Sequence, residues 1–138
     1  MKVLIDVNVM LDFLQRREPF FENAASVMDA ILYGTVEGLL AAHGVTTLYY
    51  FLARGAEKRM AGETMRWLLD TFEVASCDKQ ILTQALSFDM PDFEDAVTAM
   101  SAERAGCSHI ITRNAGDFVG SCLPALPPAE FLRMLETE

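Results

Sequence analysis

The most constraining feature of this sequence is an apolar run, Val3-Leu4-Ile5, that stops abruptly on a carboxylate, Asp6. Apolar residues in an unbroken row, rather than in alternation, mark a strand buried on both faces, the habit of parallel sheets. Val7, Met10, Leu11 and Leu14 then fall at helical spacing, so a helix begins directly after Asp6. An acid at the junction of a buried strand and a helix is costly unless it caps the helix, finds a partner or meets a cation.

The same alternation continues to the end of the chain. Arg16-Arg17-Glu18-Pro19 breaks the first helix, and Pro19 is placed to open a second. Ala24, Val27, Met28, Ile31 and Leu32 give that helix its buried face, and Gly34 ends it. A strand is expected over 37–41, a helix over 45–54 stopped by Gly55, and a helix over 63–72 with Trp67 and Leu68 turned inward. A brief strand over 74–76 precedes a helix over 79–87. Met90-Pro91-Asp92 opens a helix running to about Ala105, with Gly106 after it. A strand over 109–112, a short one over 123–126 and a helix from Pro128 to near Leu135 complete the chain. Strands alternating with helices predict right-handed crossovers and a mostly parallel sheet covered on both faces. No repeat, low-complexity tract or linker interrupts the pattern, so one α/β domain over 1–138 is expected.

Composition narrows the function. Twenty acidic residues face eleven basic ones, a net charge of -9, which argues against a protein that coats nucleic acid by neutralising phosphates. An enzyme acting on nucleic acid through a bound divalent ion is compatible with that charge, because the ion inverts the local field. An apolar share of 51% excludes a disordered chain. No apolar run approaches the roughly 20 residues of a membrane helix, and no basic-then-apolar leader opens the chain, so a cytoplasmic location without membrane contact is expected. Cys77, Cys107 and Cys122 fit neither a disulfide framework nor a Cys-x-x-Cys site, and are expected as buried reduced thiols.

Sites in parallel sheets form at the carboxyl ends of strands. Asp6 ends the first strand, and Asp117 lies a few residues past the strand over 109–112. If those strands are neighbours, the two acids meet on one rim. Asp92 and Asp95, three apart at a helix start, share a face that can approach the same rim. Asp92 also reads as an N-cap, and Glu94 and Asp95 as first-turn acids favoured by the helix dipole. Asp12 is expected in a partly solvated position. Converging carboxylates without a compensating lysine suit a hard cation, Mg²⁺ or Mn²⁺, which takes oxygen ligands. His43 and His109 have no Cys or His at zinc-ligand spacing and are read as structural.

Three segments together resemble the PIN-domain family, the group that includes VapC-type toxin ribonucleases. They are Val3-Leu4-Ile5-Asp6-Val7-Asn8-Val9-Met10-Leu11-Asp12, Asp92-Phe93-Glu94-Asp95-Ala96-Val97, and Ile111-Thr112-Arg113-Asn114-Ala115-Gly116-Asp117-Phe118. The resemblance implies a three-layer α/β/α sandwich around a sheet of four or five strands. It implies a metal-dependent ribonuclease holding Mg²⁺ or Mn²⁺, with Asp6, Asp95 and Asp117 as metal ligands and catalytic acids. Asp92 would be an auxiliary acid; Asn8, Thr112 and Asn114 would orient ligands or metal-bound water. It also implies an RNA substrate, a small antitoxin covering the acidic pocket, and a homodimer.

One departure stands out. Where family members usually carry a glutamate early in the third long helix, Val45-Thr46-Thr47-Leu48-Tyr49-Tyr50-Phe51 places Thr47. A threonine hydrogen-bonds water but brings no charge, which motivates an alternative reading as a PIN-like module that binds RNA or protein without efficient cleavage. Neither Glu37 nor Glu57 is placed as a substitute. Arg17 and Arg113 are the candidate phosphate contacts, with Arg16, Arg54, Lys58 and Arg59 as further flanking cations. A phosphotransfer domain is disfavoured: Asn8 stands where a dehalogenase-like phosphatase has its second Asp, and Arg113 follows Thr112 where a lysine is wanted.

Overall fold

The computed structural model describes residues 1–54 and 58–137. Five strands form one sheet: β1 (Lys2–Ile5), β2 (Glu37–Ala41), β3 (Glu73–Ala75), β4 (His109–Ile111) and β5 (Ala125–Leu126). Their spatial order is β3-β2-β1-β4-β5, and every pairing is parallel. The helices are α1 (Val7–Leu14), α2 (Phe21–Leu32), α3 (Ala42–Leu52), α4 (Lys58–Thr71), α5 (Lys79–Ala85), α6 (Phe93–Arg104) and α7 (Pro128–Glu136). They cover both faces of the sheet, giving an α/β/α sandwich.

The strands sort their side chains with the expected two-residue period. Val3, Ile5, Leu40 and Ile111 face α1, α2, α3, α4 and α7 in one core, with Phe131, Met28, Leu48 and Leu68 opposite them. Leu4, Leu39, Ala41, Ala75 and Ile110 face the other way, against Ala99 and Ala102 of α6. Both faces of β1 are dry, which explains why its apolar run does not alternate. The small residues of α6 let that helix lie close on the sheet. Gly38 serves a similar end on β2: a Cβ there would come within 2.8 Å of Ile31 and Phe72.

β1 is central. The chain leaves it first toward β2 and returns later to its other side as β4, so the crossovers diverge at β1 and open a crevice above the β1 and β4 carboxyl ends. The register pairs Ile5 with Ile111, which puts Asp6 level with Thr112 at that crevice.

Several sequence expectations shift. α3 starts at Ala42, immediately after β2, not at residue 45; its expected stop, Gly55, and Glu57 lie outside the described residues. α2 opens at Phe21, two residues past Pro19, and α4 opens at Lys58, five residues before 63. β3 begins one residue earlier than expected, β4 ends at Ile111, and β5 is two residues long. Trp67 is not an inner residue. Ala61, Met65 and Leu68 make the buried stripe of α4, and Trp67, 39% exposed, lies off it. Of the three cysteines only Cys107 is buried; Cys77 is half-buried and Cys122 exposed, and all three are free. Burial pushes the Cys107 thiol up to about 11, so it remains protonated at neutral pH.

The α4 stripe gives a direct test. Leu68→Ala should lower the unfolding free energy by about 2–5 kcal/mol through lost burial and a residual cavity. Trp67→Ala should cost less than Leu68→Ala despite removing a larger side chain, as read from urea denaturation midpoints.

Candidate functional site at the β1–β4 crevice

Asp6 is the N-cap of α1. Its backbone is extended (φ -70, ψ 153) and its N–H still bonds Ile111 O at 2.9 Å, so the residue ends the ladder and starts the helix at once. One carboxylate oxygen, Oδ1, accepts from Val7 N–H at 2.9 Å. The other, Oδ2, accepts from Thr112 Oγ1 at 2.8 Å and from Asn8 Nδ2 at 3.3 Å. Thr112 is fully buried; besides donating to Asp6, its hydroxyl accepts from the Asn114 N–H at 3.1 Å. The Arg113 N–H donates to Asn8 Oδ1 at 3.2 Å, which orients the amide so that its Nδ2 faces Asp6 and Thr112. The first and third sequence segments are thus tied side chain to side chain over more than a hundred residues of chain. Burial nevertheless raises the Asp6 carboxyl above the ordinary range; Thr112 and the Val7 N–H oppose that shift, and Glu94 adds to it.

The second segment supplies the opposite wall. Asp92 caps α6, its Oδ2 accepting from Asp95 N–H at 3.2 Å. Asp95, in the first turn, is pushed up to about 7, by desolvation first, then by the charges of Asp92 and Asp6, with Asp117 contributing. Asp117 lies in a 3-10 turn (Ala115–Phe118) whose Phe118 is buried, and its N–H bonds Asn114 O at 2.9 Å. A cleft of about 300 Å³ is bordered by Asp6, Asn8, Asp95, Asn114 and Asp117 together with Thr47 and Arg17.

Thr47 therefore stands at the cleft, as its sequence position suggested. Its hydroxyl donates to His43 O at 3.2 Å, leaving oxygen lone pairs but no charge to offer. Arg17 borders the cleft with its guanidinium held by Gln15 Oε1 at 2.9 and 2.6 Å. Arg16, Arg54, Lys58 and Arg59 do not line it. Arg113 faces away from the acids. Its Nε and Nη2 grip Asp12 at 2.7 and 3.3 Å, and its guanidinium lies 4.3 Å from the Phe20 ring centroid. Asp12 is correspondingly 1% exposed, a correction to the partly solvated position expected for it: a bidentate cation, not water, balances its charge.

Two residues escaped the sequence reading. Glu94, in the first turn of α6, borders the cleft beside Asp95. His43, in the first turn of α3, lines a small cavity of about 40 Å³ beneath the cleft with Asp6, Glu94, Asp95 and Thr98. Its Nε2 is 2.9 Å from Thr98 Oγ1, and that hydroxyl donates to Glu94 O at 3.1 Å. The imidazole must therefore donate from Nε2, leaving Nδ1 buried and without a partner among the described residues. The available signal was positional: His43 sits two residues beyond a strand end on the same rim. His109, by contrast, starts β4 at the opposite end and pairs with Ser108 Oγ at 2.7 Å.

The charge pattern fits a hard dication. Several carboxylates converge, two are held above their ordinary range, and among the described residues none of Asp6, Asp95 and Asp117 is ion-paired; Arg17, at the cleft edge, is bonded to Gln15 instead. Among the described residues, no three His, Cys, Asp or Glu side chains are gathered closely enough to form a metal cage. Mg²⁺ does not require one, since it usually binds through one or two carboxylates and keeps several waters.

Comparisons with known proteins agree with this architecture. A family model described as PIN domain matches residues 2–116. Solved structures share the fold at low identity. FitAcB from Neisseria gonorrhoeae superposes with a TM-score of 0.66 at 18% identity, covering 92% of this chain and 98% of that one. VapBC2 from Rickettsia felis, bound to a promoter DNA fragment, gives 0.69 at 11% identity, with 92% and 98% covered. VapC20 from Mycobacterium tuberculosis, a toxin that cleaves the sarcin-ricin loop, gives 0.62 at 14% identity, with 78% and 86% covered. No curated protein matches the chain in sequence.

The Asp95 shift has a definite pH signature. A carboxyl raised from 3.8 to about 7 favours folding when protonated, so its contribution is complete below pH 3.8 and is lost as pH rises toward 7. In metal-free protein, NMR titration of the Asp95 carboxyl should give a midpoint near 7, and Asp92→Asn should lower it by removing the nearest like charge. Excess Mg²⁺ should lower it as well.

Proposed function

This chain belongs to the PIN domain family, and we propose that it is a metal-dependent endoribonuclease acting in the cytoplasm as the toxin of a toxin–antitoxin pair. The observation that carries the proposal is the convergence of Asp6, Asp95 and Asp117 on one cleft at the β1–β4 crevice, where burial raises the Asp6 carboxyl above its ordinary range and burial with the charge of Asp92 raises that of Asp95. A solved relative's description as a sarcin-ricin loop cleaving toxin supports RNA as the substrate. A similar structure from Klebsiella pneumoniae, solved as a toxin–antitoxin complex, supports an antitoxin partner.

In this reading one or two of Asp6, Asp95 and Asp117 would hold Mg²⁺ or Mn²⁺ directly and the rest through its waters; the ion would supply Lewis acidity toward a phosphate oxygen and a water of lowered pKa. The chain's own residues prepare that site. Thr112 and Asn8 fix the Asp6 Oδ2 oxygen in place from β4 and α1, so little ordering remains when the ion arrives. Asp92 fixes the first turn of α6 through the Asp95 N–H, and with it the position of the Asp95 carboxyl. Burial and the charge of Asp92 push the Asp95 carboxyl up to about 7, and a bound dication would favour its ionised form. Asn114 borders the cleft beside Asp117, its own N–H bonded to Thr112. Arg17 is the cation at the cleft edge and is proposed to meet a backbone phosphate. The exposed aromatics Tyr49, Tyr50 and Phe51 of α3 are the proposed surface for a homodimer or for the antitoxin.

Thr47 favours a second reading, a PIN-like module that binds RNA or protein and cleaves weakly, because its hydroxyl proton is already committed to His43 O. Calorimetric Mn²⁺ titration separates the two when paired with an RNA cleavage assay. Asp6→Asn should abolish Mn²⁺-dependent cleavage, and Asp95→Asn should weaken ion binding. Thr112→Val should reduce metal affinity or activity by about 10–100-fold, the usual penalty for losing a group that orients a ligand. Thr47→Glu should tighten Mn²⁺ binding. A folded native chain that binds RNA without cleaving it in Mg²⁺ or Mn²⁺ favours the binding module. Expression of the chain alone should arrest growth, and Asp6→Asn should relieve the arrest.

A further inference from the structure

A second concavity adjoins the acidic cleft. It measures about 310 Å³ and is lined by Phe20, Asn23, Arg113, Asn114, Pro127 and Pro128. Asn114 borders both spaces, so a ligand lying in the cleft can extend into this one without leaving the surface. The volume falls at the lower end of the roughly 300–1,000 Å³ of pockets that take small ligands.

Its chemistry selects the ligand. Arg113 is the cation on its wall, but both Asp12 oxygens already compensate that charge, at 2.7 and 3.3 Å. A phosphate, which needs uncompensated positive charge, gains little here. The guanidinium is planar, clamped at its edge by Asp12, and carries the Phe20 ring 4.3 Å from its central carbon, with Phe20 itself 40% exposed. That is a rigid flat platform. Asn23 and Asn114 add side-chain amides, each able to donate and to accept. Two proline rings form an apolar wall where α7 begins without a side-chain cap. A flat stacking surface, edge-directed amides and near-neutral charge are what an unpaired RNA base requires.

We propose that this cavity is a nucleobase subsite, holding the unpaired base that neighbours the cleaved phosphodiester and making cleavage base-selective. The proposal rests on the ribonuclease reading and adds which part of the RNA is recognised. Asp12 acts here as a positioning residue: it neutralises Arg113 and holds its plane still.

The test is cleavage, with Mn²⁺ present, of a single-stranded RNA library carrying a randomised segment, with the cut junctions sequenced. The native chain should show one position beside the cut at which one base is preferred by about tenfold, the scale of one hydrogen bond to a base edge. Phe20→Leu or Asn23→Ala should flatten that preference and leave the preferences at other positions in place. Asn23 is exposed and outside the core, so its variant remains informative if the Phe20 change disturbs folding. Cleavage with a flat base profile, or a preference that neither variant alters, overturns the subsite and leaves the nuclease standing. Absence of any cleavage by the native chain in Mg²⁺ or Mn²⁺ overturns the nuclease reading and the subsite with it.

Discussion

The Thr112 hydroxyl on the Asp6 carboxylate is the interaction on which the rest of the site depends. Parallel strands offer no turn to hold their carboxyl ends together; the two chains simply diverge into separate crossovers. Here the ladder of β1 and β4 continues one step past the sheet, through the Asp6 N–H, and is then closed by side chains. Asp6 spends Oδ1 on capping its helix and Oδ2 on Thr112 and Asn8, so a buried acid is satisfied without a counter-charge. Its negative charge stays available because hydrogen bonds, not a lysine, compensate it.

A second tie lies behind the first. Asp12 and Arg113 join α1 to the loop after β4 in the interior, and Phe20 covers the guanidinium. The pair separates two kinds of charge on one rim: acids that remain free to gather at the cleft, and one acid that is fully balanced. Breaking it from one side would leave an unpaired charge indoors, which is far more costly than the pair is stabilising.

The parts of this arrangement that were legible in the sequence are those written in adjacent residues. Asp6 after Val3-Leu4-Ile5, Asp95 at a helix start and Asp117 past a strand announced themselves by position. The layered parallel sheet followed from strands alternating with helices. The Asp12–Arg113 pair did not, because its members lie 101 residues apart and each looks ordinary in its own segment. Trp67 was expected inside together with Leu68, whereas the 3.6-residue period running through Ala61, Met65 and Leu68 places it beside the stripe. His43 and Glu94 were hidden for another reason. Their relation to Asp6 exists only once β2 lies beside β1 and α6 folds across the rim, a fact of tertiary packing that neither local segment encodes.

The outer strands have a consequence of their own. β3 contributes three residues and β5 only two, so the sheet's margins present very few open amides and carbonyls. A neighbouring chain seeking to extend the sheet would find almost nothing to template against, and fibrillar stacking is disfavoured for the same reason. Association with any other polypeptide must then be negotiated by side chains on helices and loops, where sequence can discriminate one companion from another.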